Sequence, residues 1–345
     1  VNFHTVPAKE SESTLQWNIG AAPEILKKRN EFNGLVRSFF ARKNVLEVEI
    51  PLLGNYTATD AFTASIKSCF DDFCGYLQTS PESYLKQYLA HYPGNDVFHL
   101  NKVFRADFPA TYHQPEFTLL EWYRHNFSWQ QLGDEVIELI RFLSEYQESA
   151  PSIKIQKYSY HQCFLEVVGI SPFEENVEWK KIYENNKTRL PPVQGVEEND
   201  NKLWQQLVWS YLIEPTFKNS ECPTITLVYD YPKELSIMAK LSVAEKEQGN
   251  SQQVVAKRFE IYYNGVELAN GWEECNCSKM LRERMLNDAK ERAQRGLDSV
   301  PLDEPLLNSI DKLKAMSGVA LGIDRLYTEL QGFDSIKKTL AFYTS

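Results

Sequence analysis

The sequence predicts an α+β fold, a mostly antiparallel sheet with helices packed on it. Asn264-Gly265 sits between the alternating runs 258–263 and 266–269, the strongest short hairpin signal. Residues 97–105 and 115–123 read as two more strands, joined by the short loop 106–114. Strands outnumber what a βαβ rhythm would give, which favours hairpin connections and segregated helices. Neither GxGxxG nor GxxxxGK[ST] occurs, so a dinucleotide fold and a P-loop are both unsupported.

Taken in order, residues 1 to about 22 are polar and aperiodic and read as an arm. Ile25, Phe32, Leu35, Val36, Phe39 and Phe40 then recur at three- and four-residue steps, predicting an amphipathic helix that ends near Lys43-Asn44. Residues 45–50 alternate like a half-buried strand, and Pro51 closes it. Residues 128–148 have helical spacing. Further helices are expected around 158–168 and 202–212, separated by the Pro- and acid-rich stretch 190–201. The segment from about 128 to 220 therefore reads as a helical insertion in one domain spanning 23–345. Residues 224–229 form a β-branched strand, 278–295 a charged helix, and 317–331 a strand running into a helix.

The chain has 345 residues, with 37 Lys+Arg against 47 Asp+Glu, a formal charge of −10. That balance argues against broad nucleic-acid binding, which needs Lys and Arg to neutralise phosphates. No run approaches 18 apolar residues, and no basic, apolar leader opens the sequence, so neither a membrane span nor a signal peptide is expected. The six cysteines include no CxxC, and Cys275-x-Cys277 is too tight for usual zinc spacing. Free thiols in a reducing cytoplasm are the simplest expectation.

Three constellations carry chemistry. With Asn264-Gly265 as a two-residue turn, Tyr262 should pair with Glu267 and Glu260 with Ala269. Glu260 and Glu267 then share a face at roughly 7–8 Å, a spacing suited to Mg²⁺ shared with phosphates. The same spacing also suits an acidic, solvent-facing strand. Strict alternation turns Asn270 to the other face, so a bulge near Gly271 is needed to bring it in. In the second constellation, Phe117, Leu119, Glu121 and Tyr123 share a strand face, with Arg105 on the preceding strand. An aromatic, a carboxylate and a phenol there could hold a base and a charged ligand, as an ordinary hairpin with an ion pair could also look. The third is Ser317-Gly-Val-Ala-Leu-Gly-Ile-Asp-Arg325, whose small residues allow close approach and whose Arg325 opens a helix. Alone, such an Asp-Arg pair usually just caps.

Together these segments resemble the three signature motifs of class II aminoacyl-tRNA synthetases. The helix–strand–Pro51 unit is similar to motif 1, the dimer-interface element. Phe104-Arg105 through Glu116-Phe117 is similar to motif 2, and Gly322-Ile-Asp-Arg325 to motif 3. Arg-Phe-Glu260, Gly-Val-Glu267-Leu-Ala-Asn270-Gly and Thr79-Ser-Pro-Glu82 narrow the resemblance to the lysyl branch. About 22 residues precede motif 1, too few for an anticodon-binding barrel, so no tRNA is expected. The closest resemblance is to the bacterial elongation factor P lysine ligases, synthetase-like domains that activate (R)-β-lysine with ATP and transfer it to a lysine of elongation factor P.

That resemblance implies a class II catalytic-domain fold, a cytoplasmic homodimer, and ATP with Mg²⁺. It implies that Arg105 holds the α-phosphate, Phe117 stacks on adenine, Asp107 lies in the ATP site, and His113 and Arg325 reach the outer phosphates. Glu260 and Glu267 would carry the metal. Glu82 would meet the near amine, Glu121, Tyr123 and Glu274 the distal ammonium, and Asn270 the carboxylate region. Ala320 stands where lysyl-tRNA synthetases have glycine, which reshapes the amino-acid pocket. The sequence departs from its relatives at Arg105-Ala-Asp107, where Asn-Glu is usual after the arginine, and at Cys275-Asn-Cys277. Two other expectations compete: a small-molecule amide ligase of the same fold, and a non-catalytic paralogue. The presence of Arg105, Arg325, Glu260 and Glu267 speaks against the second.

Overall fold

The computed structural model describes residues 16–60, 63–146, 152–186, 196–219, 221–244 and 253–345. The first half contains β1 (Trp17–Ile19), α1 (Pro23–Arg42), β2 (Leu46–Glu47), β3 (Leu53–Gly54), β4 (Lys67–Phe70), β5 (Phe73–Leu77), α2 (Glu82–His91), β6 (Val97–Phe104), β7 (Glu116–His125), α3 (Trp129–Glu145) and β8 (Lys154–Ser159). There follow α4 (Tyr160–Val167), α5 (Trp179–Asn185), α6 (Asn201–Val208), β9 (Thr224–Pro232), β10 (Leu241–Val243), β11 (Val254–Tyr263), β12 (Val266–Glu273), α7 (Ser278–Gln294), α8 (Glu304–Ser309), β13 (Met316–Gly322), α9 (Ile323–Leu330) and β14 (Phe342–Thr344).

The architecture is α+β. One sheet runs β2-β6-β7-β13-β12-β11-β9-β8, with β10 added on β11. Its inner pairs are antiparallel, and the outermost pairs β2–β6 and β8–β9 are parallel. Alternation assigns the two faces. Leu120, Trp122, Phe259, Ile261, Val319 and Leu321 point into one core with α1, α3 and α9. Their neighbours Glu121, Tyr123, Glu260, Gly318 and Ala320 are thereby committed to the opposite face. The helices fit this plan locally. Proline at the first turn opens α1, which buries Phe32, Val36, Phe39 and Phe40. A Ser128–Gln131 capping box opens α3, which buries Leu132, Val136 and Ile140 in the same core.

Several expectations need correction. Trp17–Ile19, expected in an arm, pairs with Phe342–Thr344. The strand expected over 45–50 shortens to Leu46–Glu47, although Val48 N–H still donates to Phe98 O at 2.8 Å. The helix expected around 158–168 begins only at Tyr160, because Ser159 ends β8 and caps α4. Residues 190–195 of the expected Pro- and acid-rich stretch lie outside the described residues. Around α4 and α6 a second, aromatic core collects Tyr160, Phe164, Trp204, Trp209 and Phe217.

Not all thiols are free. Cys69 faces Cys74 across the β4–β5 hairpin, Cα to Cα 4.2 Å, and the two are disulfide-bonded. Four residues separate them, too close for a sequence argument to treat them as strand partners. The tight Asp71 turn, with φ 47°, makes them so.

Candidate active site

The hairpin of β11 and β12 sets the geometry. Asn264 and Gly265 both take positive φ, 49° and 81°, as a type I′ turn requires. Tyr263 then pairs with Val266 and Tyr262 with Glu267, as expected. Beyond that the register slips: Ile261 faces Ala269 and Glu260 faces Asn270, not Ala269. The bulge expected near Gly271 lies instead at Leu268. Leu268 and Ala269 both enter the core, which costs the strand one residue of alternation. Glu267, Asn270 and Trp272 thus all emerge on the face of Arg258, Glu260 and Tyr262.

The register now crosses the sheet in rows. Glu121 faces Ala320, Ala320 faces Asn270, and Asn270 faces Glu260. One step along, Tyr123, Gly318, Trp272 and Arg258 form a second row. A cavity of about 260 Å³ lies over these rows, lined by Glu82, Arg105, Asp107, His113, Phe117, Glu121, Tyr123, Glu267, Asn270, Ala320 and Arg325. Glu260 lines an adjoining cavity of about 380 Å³, which shares Glu82, Glu267 and Asn270 with the first. Glu274 lines neither cavity and is buried behind the pocket. The residues expected from three distant motifs therefore converge.

At one end are the cations. The Arg105 guanidinium sits 5.1 Å over the Phe117 ring, and its Nε–H donates to Thr79 O at 3.4 Å. Arg325 donates to Glu267 O at 2.9 Å and approaches His113 Nε2 at 2.8 Å. A guanidinium has no acceptor, so in this contact His113 Nε2 accepts. Asp324, beside Arg325, serves the fold instead. It is buried, ion-paired with Arg29 of α1, and accepts from Thr118 N–H at 2.8 Å.

At the other end are carboxylates. Tyr123 Oη donates to Glu121 Oε1 at 2.7 Å, and Trp272 Nε1 donates to Glu274 Oε2 at 3.0 Å. Burial pushes Glu121 up to about 8, with Glu82 adding to the effect, and Glu274 up to about 7. Lys86 of α2 is completely buried between them, its Nζ 2.6 Å from Glu82 and 2.5 Å from Glu274. Sequence reasoning missed Lys86. The signal was the Glu82-x-x-x-Lys86 step inside Leu85–Leu89 helical spacing, which places an ion pair on a buried helix face.

The metal expectation can be tested on lone pairs. Glu260 accepts from Tyr231 Oη at 2.6 Å, and also from Tyr262 and Arg258. Three of about four lone-pair sites are taken, leaving one for a monodentate contact. Glu267 is more open and lines both cavities. One carboxylate of each kind fits Mg²⁺, which completes its shell with phosphate oxygens and water. Burial raises Glu260, which Arg258 opposes, and burial also raises Glu214 to about 7 beside Glu267 and Glu260. Arg258 and Glu214 were likewise not foreseen. Arg258 stands inside the Arg-Phe-Glu260 segment without having been given a role, and Glu214 lies outside the motifs.

Comparison with known proteins agrees with this arrangement. Residues 9–345 match the family of class II tRNA synthetases (D, K and N). A protein of Photorhabdus laumondii named elongation factor P–(R)-β-lysine ligase is 35% identical over 95% of this chain and 98% of its own length. Proteins of the same name from Vibrio cholerae and Proteus mirabilis are each 34% identical, over 94% of this chain and 97% of theirs. Among the described residues, no helix is long and apolar enough to cross a membrane. The chain belongs to the class II tRNA synthetase family, on the branch of the elongation factor P–(R)-β-lysine ligases.

Proposed function

We propose that this protein is an ATP-dependent ligase that activates (R)-β-lysine, or lysine, as an acyl adenylate and transfers it to a lysine side chain of elongation factor P. One observation carries the reading. Arg105 and Arg325 stand at one end of a single cavity, with the carboxylates of Glu82 and Glu121 at the other. A diamino acid spans it with its ammonium groups on the carboxylates and its own carboxylate toward the arginines.

With the triphosphate over Phe117 and Arg105, a carboxylate oxygen of the amino acid bonds to the α-phosphorus as the bond to the bridging oxygen breaks and pyrophosphate leaves. Arg105 is placed to stabilise the charge that develops on the α-phosphoryl oxygens. Arg325, held beside His113, exchanges those contacts for the outer phosphates. Mg²⁺, held by Glu260 and Glu267, would neutralise phosphate charge when bound. The acceptor amine then attacks the acyl carbon, AMP leaves, and the amine proton passes to phosphate or solvent. The enzyme is read as cytoplasmic and as a homodimer joined through the α1 region.

The test is pyrophosphate exchange with α-lysine and (R)-β-lysine, followed by mass spectrometry of elongation factor P. Exchange with a lysine isomer and a matching mass increase are expected. ATP binding without exchange for either isomer would overturn the assignment.

A further inference from the structure

Behind the amino-acid pocket lies a buried cation. Lys86 is fully buried and joins Glu82 at 2.6 Å to Glu274 at 2.5 Å. Its ammonium also lies 6.0 Å from the Tyr123 ring centroid and 5.8 Å from that of Trp272. Glu121 completes the group of charges, held by Tyr123. Three carboxyl groups thus stand against one ammonium, two more than it can match.

A second, independent observation shows that this demand is directed at a ligand. Lys86 and Trp272 both hold Oε2 of Glu274, whereas Oε1 is buried and has no hydrogen-bond partner. The packing around it is close: a Cβ on Gly318 would stand 2.7 Å from that Oε1 and 2.4 Å from the Tyr123 ring, so only glycine leaves room for both. A buried carboxylate oxygen with no donor is an open acceptor, and a buried charge left unmatched is strongly disfavoured.

We propose that Lys86 is the specificity-determining counter-charge of this pocket, the one resident cation among three carboxyl groups, so that the pocket accepts amino acids with two ammonium groups. The proposal rests on the ligase reading for the identity of the ligand. Lys86 need not touch the substrate. It acts through Glu82 and Glu274, fixing which of their oxygens remain open. An amino acid with one ammonium leaves a carboxyl group of the set without a cation, and without Lys86 even a diamino acid would do so.

The experiment measures calorimetric binding of α-lysine, (R)-β-lysine and norleucine to the full chain and to Lys86→Met and Lys86→Arg, with pyrophosphate exchange as a separate arm. The wild type should bind a lysine isomer at least tenfold more tightly than norleucine. Lys86→Met should weaken the lysine isomers about 100-fold, as loss of a buried charge partner does, with ATP binding unchanged. Lys86→Arg should recover most of that loss. Lysine affinity within threefold of wild type in Lys86→Met overturns the proposal. So does a loss shared equally by ATP, or one that Lys86→Arg does not repair, since either marks a purely structural ion pair. Wild-type protein that binds lysine but forms no adenylate leaves the counter-charge standing and overturns the ligase reading instead.

Discussion

Asn270 stands directly opposite Glu260 because Leu268 is an extra residue in β12. The place of Asn270 beside the acidic pair is therefore a product of strand length as much as of residue type. Leu268→Ala keeps the bulge and empties part of the core, so it should cost about 2–4 kcal/mol of stability while leaving the substrate KM values near wild type. Deleting Leu268 should restore plain alternation while leaving Glu267 and Asn270 on the face of Glu260. Exchange should then persist wherever urea denaturation shows a cooperative fold; its loss from a folded deletion variant would show that the bulge itself shapes the site.

Glu267 is the open partner of the proposed metal pair. Glu267→Gln removes charge and preserves shape, so exchange should fall by at least a hundredfold while the melting temperature stays within a few degrees. Near-normal exchange, with an unchanged Mg²⁺ requirement, would remove Glu267 from the metal site.

Gly318 keeps the pocket open. In Gly318→Ala, the new methyl group meets the Tyr123 ring and Glu274 before it meets anything in the ATP end of the cavity. The KM for the amino acid should rise at least tenfold and the KM for ATP should stay within twofold. Equal effects on both would show that the strand itself had moved.

The carboxylates make binding depend on pH. Glu121 is pushed up to about 8 and Glu274 to about 7, chiefly by burial. An ammonium ligand needs both ionised, so the KM for lysine should rise as pH falls through 8 and 7 in the absence of a compensating change at ATP. The unliganded fold should respond in the opposite sense. A carboxyl whose folded pKa lies above its unfolded value stabilises the fold when protonated, and that stability is lost as pH rises from about 5 toward 8. Thermal melts across that window should show a falling midpoint that bound lysine levels out.

Much of this was legible in the chain. Asn264-Gly265 gave the hairpin, and the period of two along 117–123 gave the face shared by Phe117, Glu121 and Tyr123. What could not be read came from contacts between distant segments. The Leu268 bulge depends on two consecutive apolar residues both finding space in the core, which no local pattern reveals. Cys69 and Cys74 become partners only once Asp71 turns the chain. Lys86 looked like an ordinary helical lysine, because its burial is decided by Glu274, 188 positions later.

The sealed position of Lys86 has one further consequence. The proposed reaction makes an acyl group that lysine amines attack, and it does so beside a lysine. Glu82 and Glu274 raise the Lys86 pKa against the effect of burial, so the amine holds its proton and offers no lone pair. Only a free-base amine is a nucleophile. The pocket thus has beside it the acceptor's own functional group in a form that cannot react, and the proposed chemistry is kept from acylating the enzyme by the same two carboxylates proposed to receive its substrate.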